Sequence, residues 1–90
     1  MTIDDIKNSI LESFSVFTFE YKNKKCGIDP MSYSEFIMWY GEDNEAVAKN
    51  IDEAMNIPLF AGKSLKELIE KKLILKKDLI EYNFWLVRGK

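Results

Sequence analysis

The sequence predicts an α+β fold, a small single domain in which a mostly antiparallel β-sheet packs against two or three helices. Three observations predict it: capping-type helix starts before apolar stretches, aromatic residues that alternate with other residues near the N-terminus, and a long alternating segment at the C-terminus. With 90 residues, of which 47% are apolar, the chain has enough material for one core. We therefore expect one domain over residues 1–90.

Helix starts are predicted where a Ser, Thr or Asn is followed three residues later by an acid, since these side chains satisfy the free N–H groups of a first turn. Three such pairs occur, and each precedes apolar residues at helical spacing. The pairs are Thr2 with Asp5, Asn50 with Glu53, and Ser64 with Glu67, and they predict helices near residues 3–12, 50–56 and 65–72.

A β-hairpin is predicted from about residues 15–21 and 25–29, because aromatic residues alternate along the first segment. If Asn23-Lys24 forms a two-residue loop, Phe19 faces Ile28 and all the apolar residues share one side. Gly27 then lies on the opposite side, where another group can approach the backbone closely.

Further strands complete the predicted sheet. The apolar run from Phe36 to Tyr40 predicts an inner strand at about 35–41 that is covered on both faces. Residues 46–49 are compatible with a short strand. Alternation over residues 79–87 predicts a C-terminal strand, although tertiary contacts can turn such a segment into a helix.

Catalysis that depends on histidine is excluded, because the chain contains no histidine. One cysteine, Cys26, cannot fill a zinc site without histidine partners. Gly62-Lys63-Ser64 resembles the end of a phosphate-binding loop, but Ile57 stands where that loop needs a glycine. We predict no catalytic residue, no cofactor and no metal.

A cytoplasmic location is predicted from the N-terminal residues and the cysteine count. The N-terminus is acidic where a signal peptide is basic, no long apolar run occurs, and the lone Cys26 can form no internal disulfide. We therefore expect no membrane association.

The middle of the chain is strongly acidic. Seven acids between residues 29 and 53 are opposed only by Lys49, and an aromatic residue lies among them. A solvated surface is the common meaning of such a run, and a partner-binding surface is the functional alternative. The candidate partner-binding residues are Asp29, Glu35, Trp39, Glu42, Asp43, Glu45, Asp52 and Glu53.

Charge is divided along the chain. Residues 1–61 carry five lysines against eleven acids, whereas residues 62–90 carry eight basic residues against four acids. With a net charge of −2 and one arginine, direct nucleic-acid binding is disfavoured. We expect a protein partner, and a basic protein that itself binds nucleic acid would suit the acidic stretch.

Three functional hypotheses follow from this composition. The preferred one is a non-catalytic interaction protein that inhibits or adapts a larger macromolecule. The first alternative is a homodimer or larger homo-oligomer, with acidic parts of one copy against basic parts of another. The second is a metal-dependent enzyme that uses carboxylates alone.

A longer pattern of residues covers about positions 17–69. It is made of Phe17, Phe19 and Tyr21, then Cys26-Gly27-Ile28-Asp29-Pro30, Met38-Trp39-Tyr40-Gly41, Ile51-Asp52-Glu53 with Met55, and Phe60 with Gly62-Lys63-Ser64-Leu65. This pattern resembles a group of short bacterial and phage proteins. The resemblance transfers no activity. It implies a setting of accessory genes on mobile elements, in which small acidic proteins often bind and block a larger host or defence protein.

Overall fold

A computed structural model describes residues 2–80 and shows a four-stranded antiparallel sheet with three α-helices, which confirms the α+β prediction. The elements in chain order are α1 (Ile3–Ser13), β1 (Phe17–Tyr21), β2 (Lys24–Ser32), β3 (Glu35–Tyr40), β4 (Asn44–Ala48), α2 (Ile51–Asn56), α3 (Leu65–Glu70) and a short 3₁₀-helix (Lys76–Asp78). No helix among residues 2–80 is long and apolar enough to cross a membrane.

The strands follow one another across the sheet in sequence order, β1-β2-β3-β4. All three pairings are antiparallel, and the connecting turns contain two or three residues. β2 contains a bulge between Pro30 and Ser32, just before the turn into β3.

The first hairpin forms as predicted, but its register differs by two residues. Phe19 lies opposite Cys26 rather than Ile28, and the loop is Lys22-Asn23 rather than Asn23-Lys24. Both loop residues have positive φ, 53° and 63°, which is the conformation that a tight hairpin loop of this length favours. An even shift keeps every side chain on its face, so the predicted sidedness is unchanged.

The fourth strand of the described sheet is β4, in the region where the sequence indicated a short strand over residues 46–49. Of the C-terminal strand predicted at 79–87, residues 79 and 80 lie beside the opposite edge of the sheet, where Leu79 forms an antiparallel bridge with Phe19. The N–H of Ile80 donates to the carbonyl of Thr18 at 3.0 Å. The rest of the predicted C-terminal strand lies outside the described residues.

The predicted helix starts are confirmed at atomic level. Reciprocal capping boxes join Thr2 to Asp5 and Ser64 to Glu67. At α2, the Asn50 side chain accepts from the Glu53 N–H at 2.7 Å. The Glu53 carboxylate accepts from the N–H of the residue before the cap, Lys49, at 2.6 Å.

The core lies between one face of the sheet and the three helices, and the buried apolar residues of both form a single cluster. Phe19 is fully buried there, and its ring contacts that of Phe60 with centroids 5.2 Å apart. The other fully buried large side chains include Phe36, Ile10, Ile28, Met38, Met55, Leu65, Leu68 and Ile74. Because this helical layer covers one face of the sheet, the second face is the candidate functional surface.

Candidate functional site: the outer face of the sheet

The outer face of the sheet is the face opposite the helices. Successive side chains of a strand point to opposite faces, so β3 alternates between buried Phe36, Met38 and Tyr40 and the partly exposed Ile37 and Trp39. β3 is an inner strand, as predicted. The expected cover on both faces is wrong for the described part of the chain, because the helices pack on one face only.

Trp39 lies against Gly27, its direct neighbour on β2. A Cβ atom at Gly27 would come within 2.7 Å of Cη2 and 2.8 Å of Cε2 of the indole, closer than real Cβ atoms approach. The ring therefore occupies the space that a side chain at residue 27 would need. The predicted close approach to the Gly27 backbone is confirmed, and the approaching group is Trp39.

An apolar strip runs across the outer face, exposed at Val47 and partly exposed at Ile37 and Trp39. Ile37 of β3 lies opposite Val47 of β4, whose surface is 59% exposed, and Trp39 is the next outer-face residue along β3. Exposed aliphatic and aromatic residues in adjoining positions are typical of binding surfaces rather than of ordinary solvated strands.

Acidic residues border this strip. Glu45 lies opposite Trp39, and Asp29 lies opposite Ile37 on the other side of β3. Glu35 begins β3 on the same face. The apolar centre is therefore flanked by carboxylates along β2, β3 and β4.

An open groove of about 480 Å³ continues the outer face between the turns at one end of the sheet. Lysines of β2 form one part of its lining and acids of the β3–β4 turn another, with Trp39 between them. The lining residues are Asn23, Lys24, Lys25, Trp39, Gly41, Glu42 and Asp43. A groove with both signs of charge and an aromatic wall suits a polar peptide segment better than an apolar ligand.

The structure divides the predicted partner-binding residues between two sides of the molecule. Asp29, Glu35, Trp39, Glu42, Asp43 and Glu45 lie on the outer face or on the adjoining turn. Asp52 and Glu53 lie in the helical layer instead. The Asp52 carboxylate pairs with Lys7 of α1 at 2.6 Å, and this contact raises the pKa of the Lys7 ammonium. Asp52 thus connects α2 to α1, and Glu53 connects α2 to the backbone that follows β4.

The acids that a metal-dependent enzyme would use are divided in the same way, with Asp29, Glu35 and Asp43 on the outer-face side and Asp52 and Glu53 on α2. Within residues 2–80, no group of three or more Cys, Asp or Glu side chains is arranged to hold a metal ion. Cys26 faces the core, and burial raises the pKa of its thiol to about 11. Its Sγ lies 3.4 Å from the carbonyl of Lys24. A buried, protonated thiol has the properties of packing rather than of a nucleophile.

Two basic residues of this region were not singled out from the sequence as part of the site. Lys24 and Lys25 line the groove beside Glu42 and Asp43. Their position follows from the loop at Lys22-Asn23, which places both residues at the start of β2. The pairing of β2 with β3 then brings Lys25 beside Gly41 at the start of the β3–β4 turn.

Comparison with protein-family models, curated proteins and solved structures gives no match to this chain. The resemblance to short bacterial and phage proteins accordingly stays a prediction.

Proposed function

We propose that the protein is a non-catalytic interaction module whose outer sheet face binds a basic region of a larger protein. The observation that supports this most strongly is the apolar strip of exposed Val47 and partly exposed Ile37 and Trp39, which is bordered by acids. An apolar centre with a charged rim is the usual anatomy of a protein-binding surface.

The two parts of this surface contribute differently. Trp39 presents a large aromatic surface on a rigid strand, so it loses little conformational freedom on binding and is suited to be an anchor. The acids at positions 42, 43 and 45 are exposed, so they act chiefly on the rate of encounter with a basic partner and on specificity. Covering a basic surface of a nucleic-acid-binding protein would inhibit that protein, which is the mode of action we propose.

The test is capture of partners from a lysate of the native host at low and at high salt, with identification by mass spectrometry. The informative variant is Asp43→Lys with Glu45→Lys. The matched control is Glu12→Lys with Glu70→Lys, which makes the same change in net charge at exposed sites on α1 and α3. Trp39→Ala tests the aromatic anchor separately.

Support requires one basic protein that the wild type and the control capture and the outer-face variant does not. We also expect Trp39→Ala to weaken capture at least about tenfold, as truncation of an interface anchor does. Thermal unfolding establishes that each variant is folded. Equal capture by all variants would refute the proposal, as would small-molecule turnover that survives both sets of charge reversals.

A further inference from the structure

The hydrogen-bonding phase of the sheet determines which backbone groups face its free edge. The N–H of Gly41 donates to the carbonyl of Lys25 at 2.8 Å, beside the register pair Cys26 and Tyr40. Antiparallel pairs alternate between bonded and non-bonded, so Pro30 and Phe36 form a non-bonded pair, as a proline without an N–H requires. The residues of β3 that bond to β4 are therefore Phe36, Met38 and Tyr40.

The same alternation continues into β4. Its residues Asn44, Ala46 and Ala48 bond to β3, since they are the register partners of those three residues. The N–H and C=O groups of Glu45 and Val47 consequently point away from the sheet. In the part of the chain that the structure describes, no strand pairs with this side of β4.

The opposite edge of the sheet differs. There β1 is bridged by Leu79, and the carbonyl of Thr18 accepts from the N–H of Ile80. Such contacts protect an edge strand from pairing with another chain. Val47, in contrast, is 59% exposed, and Glu45 beside it is exposed as well. Among residues 2–80, β4 is thus the edge that is open for strand addition.

We propose that β4 pairs antiparallel with β4 of a second copy of this chain, about a two-fold axis at Ala46. In this register Glu45 lies opposite Val47 of the second copy, and Val47 lies opposite Glu45 of the second copy. The four outward N–H groups of the two strands then meet the four outward carbonyls. Two four-stranded sheets become one sheet of eight strands.

The two neighbouring registers are less favourable for reasons visible in the fold. A two-fold axis at Glu45 places two carboxylates directly opposite each other, which destabilises a strand pair. An axis at Val47 makes Lys49 the bonded partner of Glu45, but the Lys49 N–H already donates to the Glu53 carboxylate at 2.6 Å. The axis at Ala46 uses only backbone groups that the fold leaves without a partner strand.

The outer-face side chains are self-complementary in the same register. Lys49 directly follows β4, so in this register it comes near Glu45 of the second copy, diagonally across the strand pair. The dimer therefore contains one pair of opposite charges on each side of its axis. This inference does not depend on the identity of a basic partner.

Disulfide trapping reads the register directly. Ala46→Cys places two thiols at the axis in a non-bonded pair, where Cα atoms are about 4.5 Å apart and a disulfide fits. Glu45→Cys and Val47→Cys are the matched controls. In this register a cysteine at residue 45 lies opposite Val47 of the second copy and a cysteine at residue 47 lies opposite Glu45, so two thiols do not meet. We expect Ala46→Cys to form covalent dimers at least about tenfold faster than either control. The native Cys26 is buried and should give none in the wild type.

A second measurement uses light scattering at protein concentrations up to the millimolar range. Val47→Pro removes one outward backbone N–H and leaves the β3–β4 hydrogen bonds intact. Val47→Thr keeps that backbone N–H and has a side chain of similar shape. We expect the proline variant to dissociate at least about tenfold more readily than the threonine variant. Lys49→Glu should weaken the dimer, and Glu45→Lys should restore it in the double variant, because the diagonal pair then has opposite charges again.

Several results would overturn the proposal. Cross-linking of Val47→Cys or Glu45→Cys in preference to Ala46→Cys would show a different register. A wild type that stays monomeric at all concentrations, with no cross-link from Ala46→Cys, would show that β4 does not pair with itself. The wild type itself separates the two proposals, because a protein that stays monomeric and still captures a basic partner would overturn this proposal and leave the proposed function standing.

Discussion

The indole of Trp39 covers the backbone of Gly27 on the neighbouring strand, so that residue 27 has no room for a β-carbon. Glycine usually weakens a strand, because it loses more conformational freedom on folding than any other residue and offers no side chain to pack. Here the missing side chain allows a tryptophan on an open face to lie flat against the sheet. The pair therefore sets the position of the largest side chain on the proposed binding surface.

Replacement of Gly27 by alanine should displace Trp39 and destabilise the fold by about 1–3 kcal/mol, the usual cost of forcing a methyl group into occupied space. The measurement is urea unfolding of Gly27→Ala, Trp39→Ala and the double variant. In the Trp39→Ala background, the alanine at residue 27 should cost much less, because the overlapping ring is gone. Additive effects in the double variant would contradict the packing described here.

Truncation of Phe19 should be the most damaging single change in the core. The side chain is fully buried and packs against Phe17 and Phe60, so Phe19→Ala should cost about 3–5 kcal/mol. The comparison is Ser64→Ala, which removes the cap of α3 and should cost about 1 kcal/mol. Thermal unfolding of both variants in parallel checks the order, and a melting temperature unchanged by Phe19→Ala would be inconsistent with this core.

Substitutions in the β1–β2 turn should stabilise the protein. Lys22 and Asn23 both have positive φ, a conformation that Asn and Gly adopt more easily than Lys and Asn in these positions. The double variant Lys22→Asn with Asn23→Gly should therefore be more stable by about 0.5–1 kcal/mol. Ser34→Gly in the β2–β3 turn is the control, because Ser34 does not have positive φ and should gain nothing. Equal effects in the two turns would argue against this loop geometry.

Alkaline pH should destabilise the protein through Cys26. Burial raises the pKa of this thiol from an ordinary value near 9 to about 11 in the folded protein, so the unfolded chain loses the proton first. Stability is unaffected below the unfolded pKa and falls as the pH rises through 9 toward 11. Urea unfolding of the wild type and of Cys26→Ala between pH 8 and pH 11 isolates this contribution from the other titrating groups. The stability difference between the two proteins should shrink as the pH rises, whereas a constant difference would exclude the thiol as the cause.

Features that depend on neighbouring residues in sequence could be predicted accurately. The capping boxes at Thr2 and Ser64 are complete within four residues, so the sequence pattern names every residue that forms them. The faces of β1 follow from alternation alone. In β3 every residue from Phe36 to Tyr40 is apolar, so the sequence predicted cover on both faces and did not show that Ile37 and Trp39 are partly exposed.

Features that depend on pairing between separate segments of the chain were harder to predict from the sequence. Loops at 22–23 and at 23–24 give the same two faces, so alternation cannot distinguish them, and the choice depends on which residues accept positive φ. β4 consists of Asn, Glu, Ala, Val and Ala, most of which are poor strand formers, and it is a strand because β3 offers it a partner. The division of the acidic stretch arises where the chain leaves β4 and enters the helical layer at α2, which charge counts do not reveal.

The order of the strands has a consequence for how the chain is made. Each strand pairs with the one before it across a turn of two or three residues, so the sheet can assemble hairpin by hairpin while synthesis proceeds, each step taking about 1–10 μs. α1 is made before the sheet, but the rest of the cover of the apolar face comes much later in the chain, from α2, Phe60 and α3. Until residue 74 has left the ribosome, the nascent sheet exposes part of its apolar face together with the β4 edge. This interval is therefore when the protein is most prone to aggregate and would benefit most from a chaperone.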